Sequence, residues 1–376
     1  MNGWNFHNPV RIRFGAGSRE ALQPRLMGQR VLIVSTGRGR RQFEADMLLP
    51  SALASATSVS WVDDIAQNPG LQETQRTIDA LSDIDIDVVL AFGGGSAMDA
   101  AKALAASLAR PRTERDLGSL IADPARYLTS AVPIIALPTT AGTGSEVTPF
   151  ATIWNHQARK KLSLASAHLF PEVAIVDPAL TFDLPREATF STGLDALNQA
   201  FEAVWNRHSS PITQGFAGHA IGLALKGLPR LHKSLGDQGA REMLAETSLL
   251  AGLSISHTRT AICHAMSYPL TAHFGLAHGW ACAVTMGAVA REVFEKRPEV
   301  FESIAPLAGF AAGSDLLNAL EGVLETLLVR DVARRAIGDV EAIRTLIPQM
   351  VTPGRSDNFI LPVDDSKLAQ IVSASL

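Results

Sequence analysis

The sequence predicts two architectures in series: an α/β first domain over residues 1–183 and an all-α second domain over residues 184–376. Two observations predict this. Short β-rich runs alternate with helical stretches in the first half, the pattern of a largely parallel sheet flanked by helices. From about residue 187 the apolar residues recur instead at three- and four-residue spacing, the period of amphipathic helices. A chain of 376 residues is long enough for two cores of ordinary domain size.

In chain order the expected strands are 10–15 (VRIRFG), 30–36 (RVLIVST), 58–64 (SVSWVDD), 87–96 (DVVLAFGGGS) and 132–140 (VPIIALPTT). Strand-like signals continue through ATIW and KLSLAS to VAIVD at 173–177, after which Pro178 and Pro185 punctuate the chain near the boundary. The expected helices are 187–206, 212–229, 241–257, 260–272, 279–294 and one long element at 313–347, with a break around Pro269 to Gly279. No repeat of 20 to 50 residues and no low-complexity tract interrupts them.

Composition excludes several classes of function. Hydrophobic residues make up 47% and charged residues 19%, and the net charge is −4, so nothing favours nucleic acid or an anionic membrane surface. The start lacks the apolar core of a signal peptide, and no apolar run reaches the roughly 18 residues needed to span a bilayer, which reads as a cytoplasmic protein. The only two cysteines, Cys263 and Cys282, have neither CxxC spacing nor the density of a disulfide framework, and are expected to be buried thiols.

Two polar turns carry the first chemical signal. Gly93, Gly94, Gly95 and Ser96 end the most apolar strand and open a strong helix, AMDAAKALAASLA. Such a turn lets a pyrophosphate approach backbone N–H groups at the positive end of a helix. A bare glycine triplet is also an ordinary tight turn, and this one is not the GxGxxG fingerprint; the strand before it and the helix after it favour phosphate. A second turn, 138–146 (PTTAGTGSE), follows the next strand and offers the hydroxyls of Thr139, Thr140, Thr143 and Ser145. Together the two turns predict one dinucleotide-binding cleft in a Rossmann-like domain.

The second signal is metal-like. Asp195 and Gln199 stand four residues apart in a helical stretch and share one face. A carboxylate among apolar neighbours needs a partner, because burying it unpaired is costly. His264 and His278 lie fourteen residues apart on two further helices. Two imidazoles and a carboxylate suit a divalent ion with an open position. Most of the ten histidines are expected to be ordinary packed or surface residues, His273 among them.

With these motifs in hand, the sequence resembles the iron-containing (group III) alcohol dehydrogenases, through GGGSAMDAAK (93–102), LPTTAGTGSEVTPFATI (137–153), GLDALNQAFEA (193–203) and HAMSYPL…HG (264–279). The resemblance implies a Rossmann-like NAD(P)-binding domain, a helical metal domain, and interconversion of a small aldehyde and its primary alcohol. Carried over by position, it implies metal ligands at Asp195, His264 and His278, with a histidine of the family falling at Gln199. It further assigns Asn68, Asp99 and Lys161 to the cofactor. A Gln carbonyl is a weaker ligand than imidazole, which leaves the ion, Fe2+ or Zn2+, and its tightness open. Tyr268 stands where the family often has a histidine, and is expected either to donate a proton to substrate or to pack.

Within that family, NPVRIRFGAG, WNRHSSPIT (205–213) and ISHTRTAICHAMSYPLTAHFGLAHG (255–279) look most similar to the phosphonate-metabolism branch. Arg259 replaces a small residue five positions before the first metal histidine, where a guanidinium suits a phosphonate or carboxylate. Its alternative is a helix-surface ion pair, and Arg207 and His208 are expected at the surface. After the second strand, Thr36, Arg38 and the neighbouring Arg40 and Arg41 stand where NAD-preferring relatives place an Asp, so NADPH is expected to be at least tolerated. The expected enzyme is thus a metal-dependent NAD(P)H oxidoreductase of a small anionic aldehyde, and by default a homodimer. The competing readings are a metal-independent maleylacetate-type reductase and a sugar-phosphate cyclase of similar architecture.

Overall fold

The computed structural model describes residues 3–158, 160–338 and 340–376. They fall into two compact units, one comprising residues 8–140 and 145–181, the other residues up to 7, 141–144 and 182–376. A single cut at 183/184 therefore misses two exchanges: the extreme N-terminal segment and the 141–144 piece of the second turn belong with the helical unit. Close backbone packing explains the second exchange. A Cβ on Gly142 would lie 2.7 Å from the Thr192 Cβ, and one on Gly144 would lie 2.4 Å from the Gly252 Cα.

The α/β unit holds eight strands among the described residues: β1 (Arg11–Phe14), β2 (Arg30–Val34), β3 (Ser58–Val62), β4 (Val88–Gly93), β5 (Ile134–Pro138), β6 (Phe150–Asn155), β7 (Lys160–Ala165) and β8 (Val173–Val176). Six form a parallel sheet in the order β1-β8-β5-β4-β2-β3, and β6 and β7 form a separate antiparallel pair. The central strands β4, β5 and β8 are buried throughout, as strands covered on both faces must be, while the edge strand β1 is largely exposed. Alternation divides their side chains between two cores. Leu32, Val34, Val89, Ala91, Ile134 and Ala136 face one side, and Val31, Ile33, Val88, Leu90, Phe92 and Ile135 the other.

Strand order also locates a crevice. From β2 the chain steps outward to β3, then returns to the opposite side of β2 as β4. Such a reversal leaves a gap beyond the carboxyl ends of β2 and β4, where ligands bind in open α/β sheets. Two helices begin there: α1 (Gly37–Ala45) after β2 and α3 (Gly95–Leu108) after β4, with α2 (Leu71–Ala80) between them in sequence. The arginine-rich stretch 37–41 is the start of α1, capped by Thr36, whose side chain accepts from the Gly39 N–H at 3.0 Å.

The helical unit contains α4 (Arg186–Val204), α5 (Pro211–Lys233), α6 (Gln238–Thr258), α7 (Ile262–Phe274), α8 (His278–Lys296), α9 (Pro298–Ala308), α10 (Gly313–Thr326), α11 (Val329–Ile337), a short turn at Val340–Arg344 and α12 (Asp365–Ser375). Two expectations need correction. The stretch at 313–347 is several helices, because Leu328 adopts a left-handed φ of 56° and Gly338 one of 72°. Each piece still buries its own stripe, Leu316, Leu320 and Val323 in α10 and Val329, Ala333 and Ile337 in α11, so periodicity alone conceals the break. The break expected between Pro269 and Gly279 is found at Gly275, with φ 67°, while Pro269 lies inside α7. Helices α9 and α12 fall outside the expected set. No single helix among the described residues is long and apolar enough to cross a membrane.

Candidate active site

Three helices build a polar pocket into the apolar core of the helical unit. On α4, Asp195, Gln199 and Glu202 recur at spacings of four and three and so share a face; all three are buried. His264 sits in the first turn of α7, and His278 opens α8. The start of α8 lies directly on the α4 backbone, since a Cβ on Gly279 would fall 1.6 Å from the Ser191 carbonyl oxygen and 3.1 Å from the Asp195 nitrogen. Only glycine permits that approach, and it brings His278 to Asp195.

Asp195 Oδ1 lies 3.2 Å from His264 Nε2 and 3.9 Å from His278 Nε2. The two imidazoles meet edge to face with centroids 5.3 Å apart. Cys282, one helical turn after His278, places its Sγ 3.8 Å from His278 Nε2. One donor atom from each of Asp195, His264, His278 and Cys282 lies within 4.8 Å of all the others. Gln199 adds a buried Oε1 that has no hydrogen-bond partner, an orphan that a cation would satisfy. Carboxylate oxygen, imidazole nitrogens, an amide oxygen and sulfur, brought together around half-buried His278, are a donor set that fits a divalent transition metal.

Glu202 organises this set and was not singled out from the sequence. Its carboxylate accepts the backbone N–H groups of Ala261 at 2.7 Å, Cys263 at 2.5 Å and His264 at 3.1 Å, and its Oε2 lies 2.7 Å from His264 Nδ1. These contacts satisfy orphan donors at the start of α7 and leave His264 Nε2 on the Asp195 side. The signal was present in the spacing, because Glu202 continues the Asp195 and Gln199 face. Burial disfavours charge on His264, but Cys282, Glu202 and Asp195 outweigh it and hold its pKa well above the ordinary value. Burial likewise pushes the Cys282 thiol up, yet His264 and His278 bring it down to about 6. For Cys263, burial and the charge of Glu202 outweigh hydrogen bonds with Asn198 and Thr285 and drive its pKa up. Both cysteines are buried free thiols, as expected, but only Cys282 joins the cluster.

Around the cluster, the Tyr268 ring stacks near His278, 13° from parallel with centroids 6.4 Å apart. Arg259 ends α6 at a left-handed φ of 59°. Loss of solvation and the nearby charge of Arg355 both lower its pKa, so two guanidiniums share one neighbourhood. Arg207 and His208 are exposed, and exposed His273 bonds Gln349 at 3.1 Å.

In the α/β unit the glycine turn runs from the end of β4 into α3. Gly93 has φ 153°, Gly94 caps α3, and a Cβ on Gly94 would come 2.9 Å from the Thr140 hydroxyl oxygen, so the two turns touch. Ser96 Oγ accepts from the Asn68 N–H at 3.2 Å, and Asn68 has φ 58°. Thr139 is buried and Thr140 half-buried, whereas Thr143 belongs to the helical unit. Asp99 is engaged internally, accepting from Ser145 Oγ and the Thr152 N–H, both at 2.9 Å. Burial raises its pKa against the pull of Lys102 and, more weakly, of Lys161. The buried Lys102, which sequence reading passed over, donates to Ser145 O at 2.7 Å, Thr148 O at 2.8 Å and Phe150 O at 2.9 Å and so ties the second turn to α3. Near Arg38, which lies in the first turn of α1, Arg40 is committed to Glu44 at 2.8 Å and Asp63 at 2.7 Å. Arg38 and Arg41 are exposed.

Comparison with known proteins converges on the same parts. Residues 9–178 match the family model described as iron-containing alcohol dehydrogenase, and residues 189–352 match that of its C-terminal part. A phosphonoacetaldehyde reductase of Streptomyces viridochromogenes is 43% identical over 55% of this chain and 53% of its own length, so the match spans about half of that relative. An NADPH-dependent butanol dehydrogenase of Clostridium saccharobutylicum is 29% identical over 86% of this chain and 83% of its own. The crystal structure of a sulfoacetaldehyde reductase from Bifidobacterium kashiwanohense in complex with NAD+ superimposes with a TM-score of 0.88 at 30% identity, covering 100% of this chain and 99% of that one. A parallel sheet with a glycine turn at its crevice, a helical unit gathering Asp195, His264 and His278, and these matches along the chain lead to one conclusion: the protein belongs to the iron-containing alcohol dehydrogenase family.

Proposed function

We propose that the chain is a metal-dependent NAD(P)H-linked reductase of a small anionic aldehyde, of the phosphonoacetaldehyde kind. The observation that carries this reading is the gathering of buried Asp195 and His264 with half-buried His278 in a member of this family. Similarity to reductases named for phosphonoacetaldehyde and sulfoacetaldehyde supports an anionic substrate. Asp195, His264 and His278, with Gln199 as a further oxygen donor, would hold Fe2+ or Zn2+. When bound, such an ion polarises a carbonyl oxygen as a Lewis acid.

The chain's own groups supply the rest. The Gly93–Ser96 turn presents N–H groups and the positive end of α3 to a pyrophosphate. Thr36, Asn68, Thr139, Thr140, Thr143, Ser145 and Lys161 complete the cofactor contacts, with Asp99 bracing Ser145. Arg38, with no carboxylate ending β2, accommodates a 2′-phosphate, so NADPH serves at least as well as NADH. Glu202 holds His264 in the orientation a ligand needs. Arg259, in the neighbourhood of Arg355, orients the substrate's anionic tail, since a guanidinium grips such a group through paired charge-assisted hydrogen bonds. A bound nicotinamide would supply hydride to the carbonyl carbon, and Tyr268 or water would give the proton to its oxygen. We keep a cytoplasmic homodimer as the working assembly.

The direct experiment is NADPH oxidation with phosphonoacetaldehyde, sulfoacetaldehyde, lactaldehyde and simple alkanals, before and after chelation and metal replacement. The anionic two-carbon aldehydes are expected to give the highest kcat/KM, with activity lost to chelator and restored by metal. Equal turnover of neutral alkanals would sink the anionic substrate. Chelator-resistant reduction would sink the metal.

A further inference from the structure

We infer that Cys282 is a ligand of the metal, so that the site is an Asp195–His264–His278–Cys282 centre with a thiolate as its fourth protein donor. This deepens the metal-dependent reading above and rests on it.

Four independent features converge on the sulfur. Cys282 Sγ belongs to the only group of three or more His, Cys, Asp or Glu donors among the described residues whose atoms gather closely enough for one ion. Its position is set by helix geometry, since residues four apart on α8 share a face, and His278 and Cys282 therefore present imidazole and thiol to one point. The sulfur is fully buried within the core, 3.8 Å from His278 Nε2, where no water competes for it. The charge of the donors also matches: the Asp195 carboxylate and one thiolate would offset a divalent ion, while Glu202, outside the donor set, pairs with His264 Nδ1 and leaves Nε2 on the Asp195 side. The other cysteine supplies an internal contrast, because Cys263 is equally buried and lies outside the donor cluster.

A thiolate changes what the site selects. An oxygen donor with two imidazoles accepts hard and borderline ions alike, whereas sulfur shifts preference toward Zn2+ and Co2+ and away from Mn2+ and Mg2+. The buried Gln199 Oε1 on α4 then serves as a weak additional donor or as a hydrogen-bond acceptor for water in the open position, and neither role is required for retention.

The test is to load the full chain with Co2+ and record its absorption. A thiolate ligand gives an intense near-ultraviolet sulfur-to-cobalt charge-transfer band, which oxygen and nitrogen donors do not. The band is expected in the unmodified chain, in Cys263→Ser and in Gln199→Ala, and is expected to vanish in Cys282→Ser and Cys282→Asp. Zn2+ affinity, read by competition with a chromophoric chelator, should fall in Cys282→Ser by more than the roughly 10–100-fold that loss of an outer-shell partner costs. Bound Co2+ without the band in the unmodified chain overturns the assignment while leaving the metal-dependent reductase intact, and requires no variant to fold. Survival of the band in Cys282→Ser also overturns it. Failure of the chain to bind Co2+ or Zn2+ at all, with reduction persisting after chelation, removes the metal reading itself.

Discussion

Glu202 shows how one residue can govern a site without touching substrate. A fully buried carboxylate is tolerable only if its oxygens are occupied, and three backbone N–H groups and His264 Nδ1 occupy them. Glu202→Gln keeps the shape but replaces one acceptor oxygen with a donor that faces N–H groups. Metal affinity should fall about 10–100-fold, measured by competition titration, with the helical content of the chain retained. Arg259 admits a cleaner test than most arginines. Its φ of 59° is one that glycine adopts freely, so Arg259→Gly removes the guanidinium while easing the backbone. KM for an anionic aldehyde should rise roughly 10-fold or more, the equivalent of a charge-assisted bond of about 1.5–3 kcal/mol, with KM for a neutral aldehyde unchanged in steady-state kinetics.

At the scale of elements, the site depends on how closely α8 sits on α4. Gly279→Ala would put a methyl group 1.6 Å from the Ser191 carbonyl oxygen, so the helices must separate. Overpacking of this kind costs about 1–3 kcal/mol, and the denaturation midpoint should drop accordingly. Metal retention should fall with it, because His278 moves with α8. In the α/β unit, α3 and the second turn are bound by Lys102, which reaches across to Ser145, Thr148 and Phe150. The buried Lys102 thus holds the second turn against α3.

Across the molecule, buried charge in the α/β unit gives stability a pH dependence. Burial raises the Glu146 pKa from 4.5 to about 7, against the pull of Lys102. The folded chain therefore binds more protons than the unfolded chain between those values, and the Glu146 contribution to stability is full below about 4.5 and lost as pH rises through about 7. Lys102 acts at higher pH. Burial lowers its pKa from 10.5 to about 8, so its contribution is present above the ordinary value and lost as pH falls through about 8. Glu146→Gln should remove the first dependence, so that the variant gains stability over the parent between pH 5 and pH 7.5 in urea titrations; an unchanged difference at the two pH values would refute it.

The two-part organisation was legible in the chain itself because periodicity records which faces are buried. Alternating and fully apolar runs marked β2, β4, β5 and β8, and three- and four-residue spacing marked α4 to α8 within a few residues. Asp195, His264 and His278 stood out as polar residues in apolar surroundings, and the glycine turn stood out between a strand and a helix. Breaks inside a continuous apolar pattern were illegible, as at Leu328, because a backbone reversal need not disturb the spacing on either side. Tertiary structure alone decided which polar residues meet. Asp195 and His278 are separated by 83 positions in sequence, and no local pattern links them; Gly279 against Ser191 does, by bringing α8 onto α4. Sequence by itself thus determined the fold and the kinds of group available for chemistry, since burial and period are local properties. The partners of those groups followed from packing, since contact between distant segments exists only once the core has formed.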